Sequence, residues 1–189
     1  MTKVYLQPGL RALSGGMGDW VYQLRNGKTY LGMKPLNGKE PSEAQVAQRE
    51  RFKQAAAYAR AAMANNDARA IYEEISALTD TPVFALMVAD YLKPPKIKNW
   101  DVSMYTGKVG DNFVVYTSDD VGVINVNIKI TDDQGAIVES GYASESKPGT
   151  GIWVYTAKTA VAAGKDVTIE ASAFDRPGGM AVNTITKTL

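Results

Sequence analysis

The sequence predicts an α+β protein: an N-terminal arm and β-hairpin with a small three-helix unit, followed by a seven-stranded β-sandwich. Two observations carry this prediction. Residues 42–92 are rich in alanine and contain helix-start signals, whereas residues 97–188 alternate apolar and polar side chains with a period of two. The sequence Lys93-Pro94-Pro95-Lys96 separates them, and paired prolines end a helix and favour extended backbone. We therefore expect two domains, residues 1–95 and residues 96–189.

The first predicted element after the glycine-punctuated arm (residues 1–19) is a hairpin. Two β-prone runs, Trp20–Leu24 and Lys28–Leu31, flank Asn26-Gly27, a pair suited to a type I′ turn because both central residues need positive φ. A two-stranded ribbon alone is marginal in water, so arm and hairpin must pack on something. We favour a neighbouring chain over the protein's own helices. The predicted assembly residues are Trp20, Tyr22, Arg25, Asn26, Gly27, Lys28 and Tyr30.

Three helices are predicted after the hairpin. Ser42-Glu43-Ala44-Gln45 fits a capping box for a helix that extends to about residue 63. Asp67 is the predicted cap of a second helix, and Thr81-Pro82 is the predicted start of a third that ends near residue 92. Four small residues form one face of the first helix: Ala55, Ala56, Ala59 and Ala62. We interpret this face as close packing within the three-helix unit, with a subunit contact as the alternative.

The second domain is predicted to contain about seven short strands. In Val123–Thr131 the side chains of Ile124, Val126, Ile128 and Ile130 share one face. Further strands are predicted at 97–103, 112–117, 136–142, 151–157, 167–173 and 180–188. This number and spacing are typical of an immunoglobulin-like sandwich, in which we expect Trp153 to fill the core in place of a disulfide.

The composition excludes several kinds of chemistry. The chain of 189 residues contains neither cysteine nor histidine. A thiol nucleophile, a disulfide, a Cys/His zinc site and a Ser-His-Asp triad are therefore impossible. A metal ion would have to bind carboxylates and carbonyls, which suit Ca²⁺ or Mg²⁺. We expect a protein that is not an enzyme and has no cofactor.

Aspartates in the predicted sandwich loops are the candidates for a metal site. Asp119, Asp120 and Asp175 are weak Ca²⁺ candidates, since oxygens gathered at one end of a sandwich can hold that ion. Their spacing matches no EF-hand, and aspartate often accepts hydrogen bonds from its own turn. We favour the turn role. No pair of carboxylates is singled out as a glycosidase site.

Nucleic acid and membrane are not the expected partners. The charges nearly balance, with 21 Lys+Arg against 20 Asp+Glu, whereas a dedicated nucleic-acid binder is distinctly basic. No apolar stretch reaches the roughly 18 residues of a membrane span. No signal-peptide pattern is found in residues 1–20. We expect cytoplasmic synthesis, with a virion or an extracellular assembly reached by a non-classical route.

Two parts of the chain resemble known families. Ser118–Val123, Ile130–Gly135, Trp153–Tyr155 and Ala173–Gly178 resemble pieces of bacterial immunoglobulin-like repeats, which implies a non-catalytic spacer or adhesion unit of a surface or phage protein. The N-terminal part is similar to an uncharacterised family seen mostly in Bacteroidota and their phages, a resemblance that lends no activity. Its motifs are Gly15–Tyr22, Arg25–Tyr30, Lys34-Pro35 and the A-Q-x-A-x-R-x-x-F helix of Ser42–Phe52.

These observations predict a non-enzymatic structural protein that forms a homo-oligomer or polymer. Its arm and hairpin would contact neighbouring copies, and its immunoglobulin-like domain would be displayed, in a phage virion or a related filament. The alternative is a monomeric binding or adhesion module that recognises a glycan or a protein through the sandwich loops.

Overall fold

The computed structural model describes residues 2, 3, 5, 13–34 and 40–189. These residues form three α-helices and three antiparallel four-stranded sheets, so the chain is α+β. Two compact units are present, Met1–Val46 and Ala47–Leu189. The boundary predicted between residues 95 and 96 does not coincide with this division. The division falls in the first turn of the first helix, so residues 47–92 share a unit with the C-terminal sheets. Val121, from a loop between two strands, packs against the helical core.

The N-terminal unit contains one sheet with the strand order β1-β4-β3-β2. Its strands are β1 (Thr2–Lys3), β2 (Gly15–Met17), β3 (Trp20–Arg25) and β4 (Lys28–Met33). Asn26 and Gly27 have φ of 48° and 71°, as the predicted Asn-Gly turn requires. The arm supplies β1 and β2 to the hairpin of its own chain, so the hairpin that we expected to have two strands is part of a four-stranded sheet. Residues 6–12 of the arm and Pro35 of the Lys34-Pro35 motif lie outside the described residues.

Three helices follow the sheet, as predicted. They are α1 (Glu43–Ala64), α2 (Asn66–Thr79) and α3 (Val83–Leu92). The capping box is formed, because Gln45 N donates to Ser42 Oγ at 3.4 Å and Ser42 N donates to Gln45 Oε1 at 3.1 Å. The predicted cap at Asp67 is wrong: Asn65 Oδ1 accepts hydrogen bonds from the backbone N–H groups of Asp67 and Ala68. The side chain of Asn65 reaches the first free N–H groups of α2 because it precedes them, whereas Asp67 is already helical.

The helices share a small core. Ala55, Ala59 and Ala62 of α1 are buried, as is Tyr72 of α2. From α3 come the buried Leu86, Met87 and Val88. Ala56, the fourth alanine of the predicted face, is only half-buried. The small face of α1 therefore packs within its own unit, which is the interpretation that we favoured over a subunit contact.

The C-terminal half forms two sheets, with the strand orders β5-β6-β10-β9 and β12-β11-β7-β8. Their strands are β5 (Lys96–Asp101), β6 (Asn112–Ser118), β7 (Asn125–Thr131), β8 (Ile137–Tyr142), β9 (Ser144–Glu145), β10 (Ile152–Thr156), β11 (Asp166–Phe174) and β12 (Met180–Thr188). Where seven strands were predicted, the second half of the chain has one more, because the chain leaves one sheet after β8 and adds the short β9 to the other.

One core joins the two sheets, as in a β-sandwich. Phe113, Val115 and Tyr155 of one sheet are buried in the same cluster as seven residues of the other, namely Val126, Ile128, Ile130, Val167, Ile169, Ala171 and Ala173. Trp153 lies in this core as expected, and its Nε1 donates to Thr117 Oγ1 at 3.1 Å. Ile124 was predicted to share the inward face of β7 but is 45% exposed, because it precedes the first residue of that strand.

Candidate functional site

The N-terminal sheet has one face rich in large apolar side chains. Opposed residues of antiparallel strands share a face, and the register opposes Trp20 to Met33 and Tyr22 to Leu31, with Met17 beside Trp20. Leu24 follows on the same side of β3 by the alternation of side chains. We call this set the apolar face: Met17, Trp20, Tyr22, Leu24, Leu31 and Met33. Its exposed members are Met17 at 59%, Trp20 at 44%, Leu24 at 47% and Met33 at 66%.

The predicted assembly residues are divided between the two sides of this sheet. Trp20 and Tyr22 belong to the apolar face, while the register places Arg25, Lys28 and Tyr30 on the opposite side. Asn26 and Gly27 form the turn. Sequence reasoning did not identify Met17, Leu24, Leu31 and Met33 as part of this surface. The alternation of apolar residues in β3 and β4 was the available signal for three of them.

A cluster of three carboxylates lies in the second unit. Asp90 is in α3, Asp119 follows β6, and Asp175 follows β11. Each of the three offers a carboxylate oxygen that lies within 4.8 Å of those of the other two. Asp90 and Asp175 are 0% and 2% exposed, and Asp119 is half-buried. We call this group the carboxylate cluster.

Backbone turns position the two aspartates that come from the sandwich. Asp119 Oδ2 accepts hydrogen bonds from Val121 N at 3.3 Å and Gly122 N at 2.9 Å. Asp175 Oδ1 accepts from Gly179 N at 2.5 Å. A Cβ at position 179 would overlap with the carboxylate of Asp175, so this close approach requires glycine.

A chain of hydroxyl groups positions the third aspartate. Tyr72 Oη donates to Asp90 Oδ2 at 2.5 Å. Because the hydroxyl proton of Tyr72 is donated to Asp90, Tyr58 Oη is the donor in the 2.8 Å hydrogen bond between the two tyrosine hydroxyl groups. Burial in the helical core raises the pKa of Tyr72 above its usual range, so Tyr72 acts as a neutral donor to Asp90.

Two oxygens of the carboxylate cluster are left without a partner. Asp90 Oδ1 and Asp175 Oδ2 are buried, and neither has a hydrogen-bond partner among the described residues. The pKa of Asp90 is raised to about 7, mainly by burial and also by the negative charge of Asp119, against the opposing effect of the Tyr72 hydrogen bond. Burial also raises the pKa of Asp175. Among the described residues, no lysine or arginine forms an ion pair with the carboxylate cluster.

The structure brings together two of the three aspartates suggested as Ca²⁺ candidates. Asp119 and Asp175 are in the carboxylate cluster, whereas Asp120 Oδ2 pairs with Lys93 Nζ at 2.6 Å. Sequence reasoning missed Asp90. The sequence does mark Asp90, because it is the single acidic residue in the apolar run Val83–Leu92. A charge in such a run is unexpected unless it has a partner.

An open cleft of about 720 Å³ lies at one end of the sandwich. Its lining is largely polar and includes Thr117, Asp119, Glu145, Thr150, Trp153 and Arg176. Glu145 Oε1 accepts a hydrogen bond from Gly151 N at 3.0 Å, which holds one wall of the cleft. Asp119 belongs to both the cleft and the carboxylate cluster, so the cluster is adjacent to solvent on that side.

No protein-family model and no curated protein matches the sequence. Among solved structures, the crystal structure of CopC from Methylosinus trichosporium OB3b is similar over 49% of this chain and 89% of that chain, with 14% sequence identity and a TM-score of 0.38. Within the described part of the chain, each helix alone is too short or too polar to cross a membrane. Taken together, α2 and α3 have the length and hydropathy of a span, but the pair is bent by 104°.

Proposed function

We propose that this chain is a non-enzymatic structural protein that self-assembles through the apolar face of its N-terminal sheet and displays an immunoglobulin-like domain, as a component of a phage virion or a related filament. The observation that carries the proposal is the exposure of Met17, Trp20, Leu24 and Met33 on the same face of one sheet. Contiguous apolar surface of this kind is typical of interaction sites.

The chemistry of the apolar face favours a second copy as its partner. No charged side chain lies on this face among the described residues, and Arg25 and Lys28 are on the opposite side. Two copies of the face can therefore meet without like-charge repulsion. Trp20, Tyr22 and the two methionines are residue types enriched at protein interfaces.

Strand order supports the immunoglobulin-like part of the proposal. The order β5-β6-β10-β9 corresponds to strands A-B-E-D of an immunoglobulin domain, and β12-β11-β7-β8 corresponds to G-F-C-C′. The chain passes from one sheet to the other between β8 and β9, through the buried Ala143.

Light scattering on the full-length protein tests self-assembly. We expect the wild-type protein to have a mass several times that of a monomer, with regular particles in negative-stain images. The double variant Leu24→Glu/Met33→Glu should be monomeric because it places buried charges in the contact. Gln23→Glu is the matched control, since Gln23 lies on the opposite side of β3, and it should assemble normally.

Two results would contradict the proposal. One is a wild-type protein that stays monomeric at high concentration. The other is a double variant that folds, as judged by circular dichroism, and still assembles like the wild type.

The cleft favours a second candidate function, a monomeric binding or adhesion module for a glycan or a protein. Its polar lining and the exposed Arg176 at its edge suit hydroxyl or carboxylate groups of a ligand. A glycan array probed with full-length protein tests this candidate. A monomer that binds one class of glycan, and loses that binding in Arg176→Ala, would favour it over self-assembly.

A further inference from the structure

We propose that Asp90, Asp119 and Asp175 bind one divalent cation, Ca²⁺ in preference to Mg²⁺, and that this ion fastens helix α3 to two loops of the sandwich. The site does not depend on the proposed self-assembly. All three residues are in the second compact unit, and none belongs to the apolar face.

The spacing of the three carboxylates fits a single ion. Calcium binds oxygen at about 2.3–2.6 Å, so two ligands on opposite sides of the ion are separated by up to about 5 Å. The ligand oxygens of the carboxylate cluster lie within 4.8 Å of one another. One Ca²⁺ can therefore contact all three side chains without a rearrangement of the backbone.

The two unpartnered oxygens point independently to a ligand. Asp90 Oδ1 and Asp175 Oδ2 are buried without hydrogen-bond partners in the described part of the chain, and a buried carboxylate is costly unless it is paired or bound to a metal. None of the ion pairs formed by the described residues includes a member of the carboxylate cluster. The nearby Lys93, which would be a natural counter-ion, pairs with Asp120 instead.

The surroundings favour Ca²⁺ over other ions. All three ligands are hard oxygen donors, and the chain has no histidine or cysteine to select a transition metal. Mg²⁺ dehydrates reluctantly and keeps several waters, which suits a site with two fully buried carboxylates poorly. Asp119 opens to the cleft, where water can complete the coordination of Ca²⁺ and through which the ion can enter.

A proton is the competing occupant of the site. A proton on one of the three carboxyl groups would also reduce the repulsion within the carboxylate cluster. If a proton occupies the site, CaCl₂ added at pH 8 neither binds nor raises Tm. If the site is a cation site, Ca²⁺ binds at pH 8 and raises Tm. Calcium dependence at pH 8 therefore separates the two occupants.

The test uses full-length protein freed of metal with EDTA and then dialysed at pH 8. We expect CaCl₂ to bind with one ion per chain in isothermal titration calorimetry. At a hundredfold excess over Kd it should raise Tm by at least about 5 °C, because the ion binds only the folded state. Tb³⁺ should bind in place of Ca²⁺ and emit on excitation of tyrosine, since Tyr72 touches Asp90.

Three conservative variants complete the test. Asp90→Asn and Asp119→Asn should each weaken Ca²⁺ binding at least tenfold. Asp133→Asn is the matched control, because Asp133 is a loop aspartate of the sandwich that lies outside the carboxylate cluster and pairs with Lys165, and it should bind Ca²⁺ like the wild type. Asp119 is half-buried, so its variant keeps the test valid if Asp90→Asn fails to fold.

Any of three results would overturn the proposal. They are the absence of both binding heat and a Tm change with wild-type protein at 10 mM CaCl₂, tighter binding of Mg²⁺ than of Ca²⁺, and unchanged Ca²⁺ affinity in a folded Asp119→Asn variant.

Discussion

Single aspartates play two different roles in this protein. Asp132 and Asp111 act as turn residues: Asp132 Oδ1 accepts from the backbone N–H groups of Gln134 and Ala136. This is the role that the sequence analysis assigned to loop aspartates in general. Asp90 differs because it lies within an apolar helix, and its partners come from distant parts of the chain. Local sequence patterns predict the first role, but the second depends on tertiary packing and was missed.

Asp111 provides a prediction about pH. Its Oδ2 accepts from Thr106 N at 2.7 Å, Thr106 Oγ1 at 2.8 Å and Lys108 N at 3.0 Å, and these bonds, the one from Thr106 N foremost, hold its pKa below the usual range. A lowered pKa in the folded state stabilises the fold above the pKa of the unfolded chain, about 4, and that contribution is lost as the pH falls further. We expect Asp111→Asn to lower Tm at pH 7, and the difference from wild type to shrink below pH 4. A difference in Tm that is constant from pH 7 to pH 2.5 would contradict this.

At the scale of elements, α1 shows how packing depends on small side chains. Ala55 and Ala59 are completely buried against the rest of the helical core, while Ala57 lies between them on the exposed side. At these buried positions of α1 the side chain is a methyl group that contacts the rest of the helical core. Larger residues on that face have no space.

This packing predicts a clear difference between two substitutions in α1. Ala59→Leu should lower the free energy of unfolding by about 1–3 kcal/mol because it overfills a packed core. Ala57→Leu should change it by less than about 0.5 kcal/mol, since the side chain points to solvent and leucine is nearly as good a helix former. Urea unfolding of both variants measures the difference. Equal effects would show that the alanine face is not tightly packed.

Local signals predicted most of the helices and strands, but they did not predict the strands of the arm. The capping box at Ser42, the Asn-Gly turn and the alternation in β7 and β11 are all read over a few residues. In contrast, Gly15 and Gly16 have low strand propensity, and β2 forms because its backbone pairs with β3. The same limit applies to the carboxylate cluster, whose members are far apart in sequence and meet only in the folded chain.

At the scale of the whole molecule, most of the helical part and the sandwich belong to one compact unit, Ala47–Leu189. Val121 packs on the helical core, Lys93 pairs with Asp120, and Asp90 meets Asp119 and Asp175. The paired prolines at residues 94 and 95 end α3, as predicted, without separating it from the sandwich. The sequence signal for the end of a helix was correct, and the domain boundary inferred from the same signal stays a prediction.

One compact unit predicts one unfolding transition. Circular dichroism at 222 nm reports mainly on the helices, and fluorescence of the buried Trp153 reports on the sandwich. In a Trp20→Phe/Trp100→Phe background, we expect both signals to change at the same Tm, because the two parts share contacts and unfold together. Two midpoints more than a few degrees apart would contradict cooperative unfolding of Ala47–Leu189.

The last strand also determines how the sandwich would respond to tension. Lys187 Nζ in β12 donates to the carbonyl oxygens of Val102 and Tyr105, at 2.5 and 2.6 Å, just beyond the end of β5. The first residue of β5 and the last of β12 therefore lie toward opposite ends of the sandwich. A pull on these two points runs along the strands and perpendicular to their hydrogen bonds. Those bonds would bear the load together in shear, instead of opening one after another.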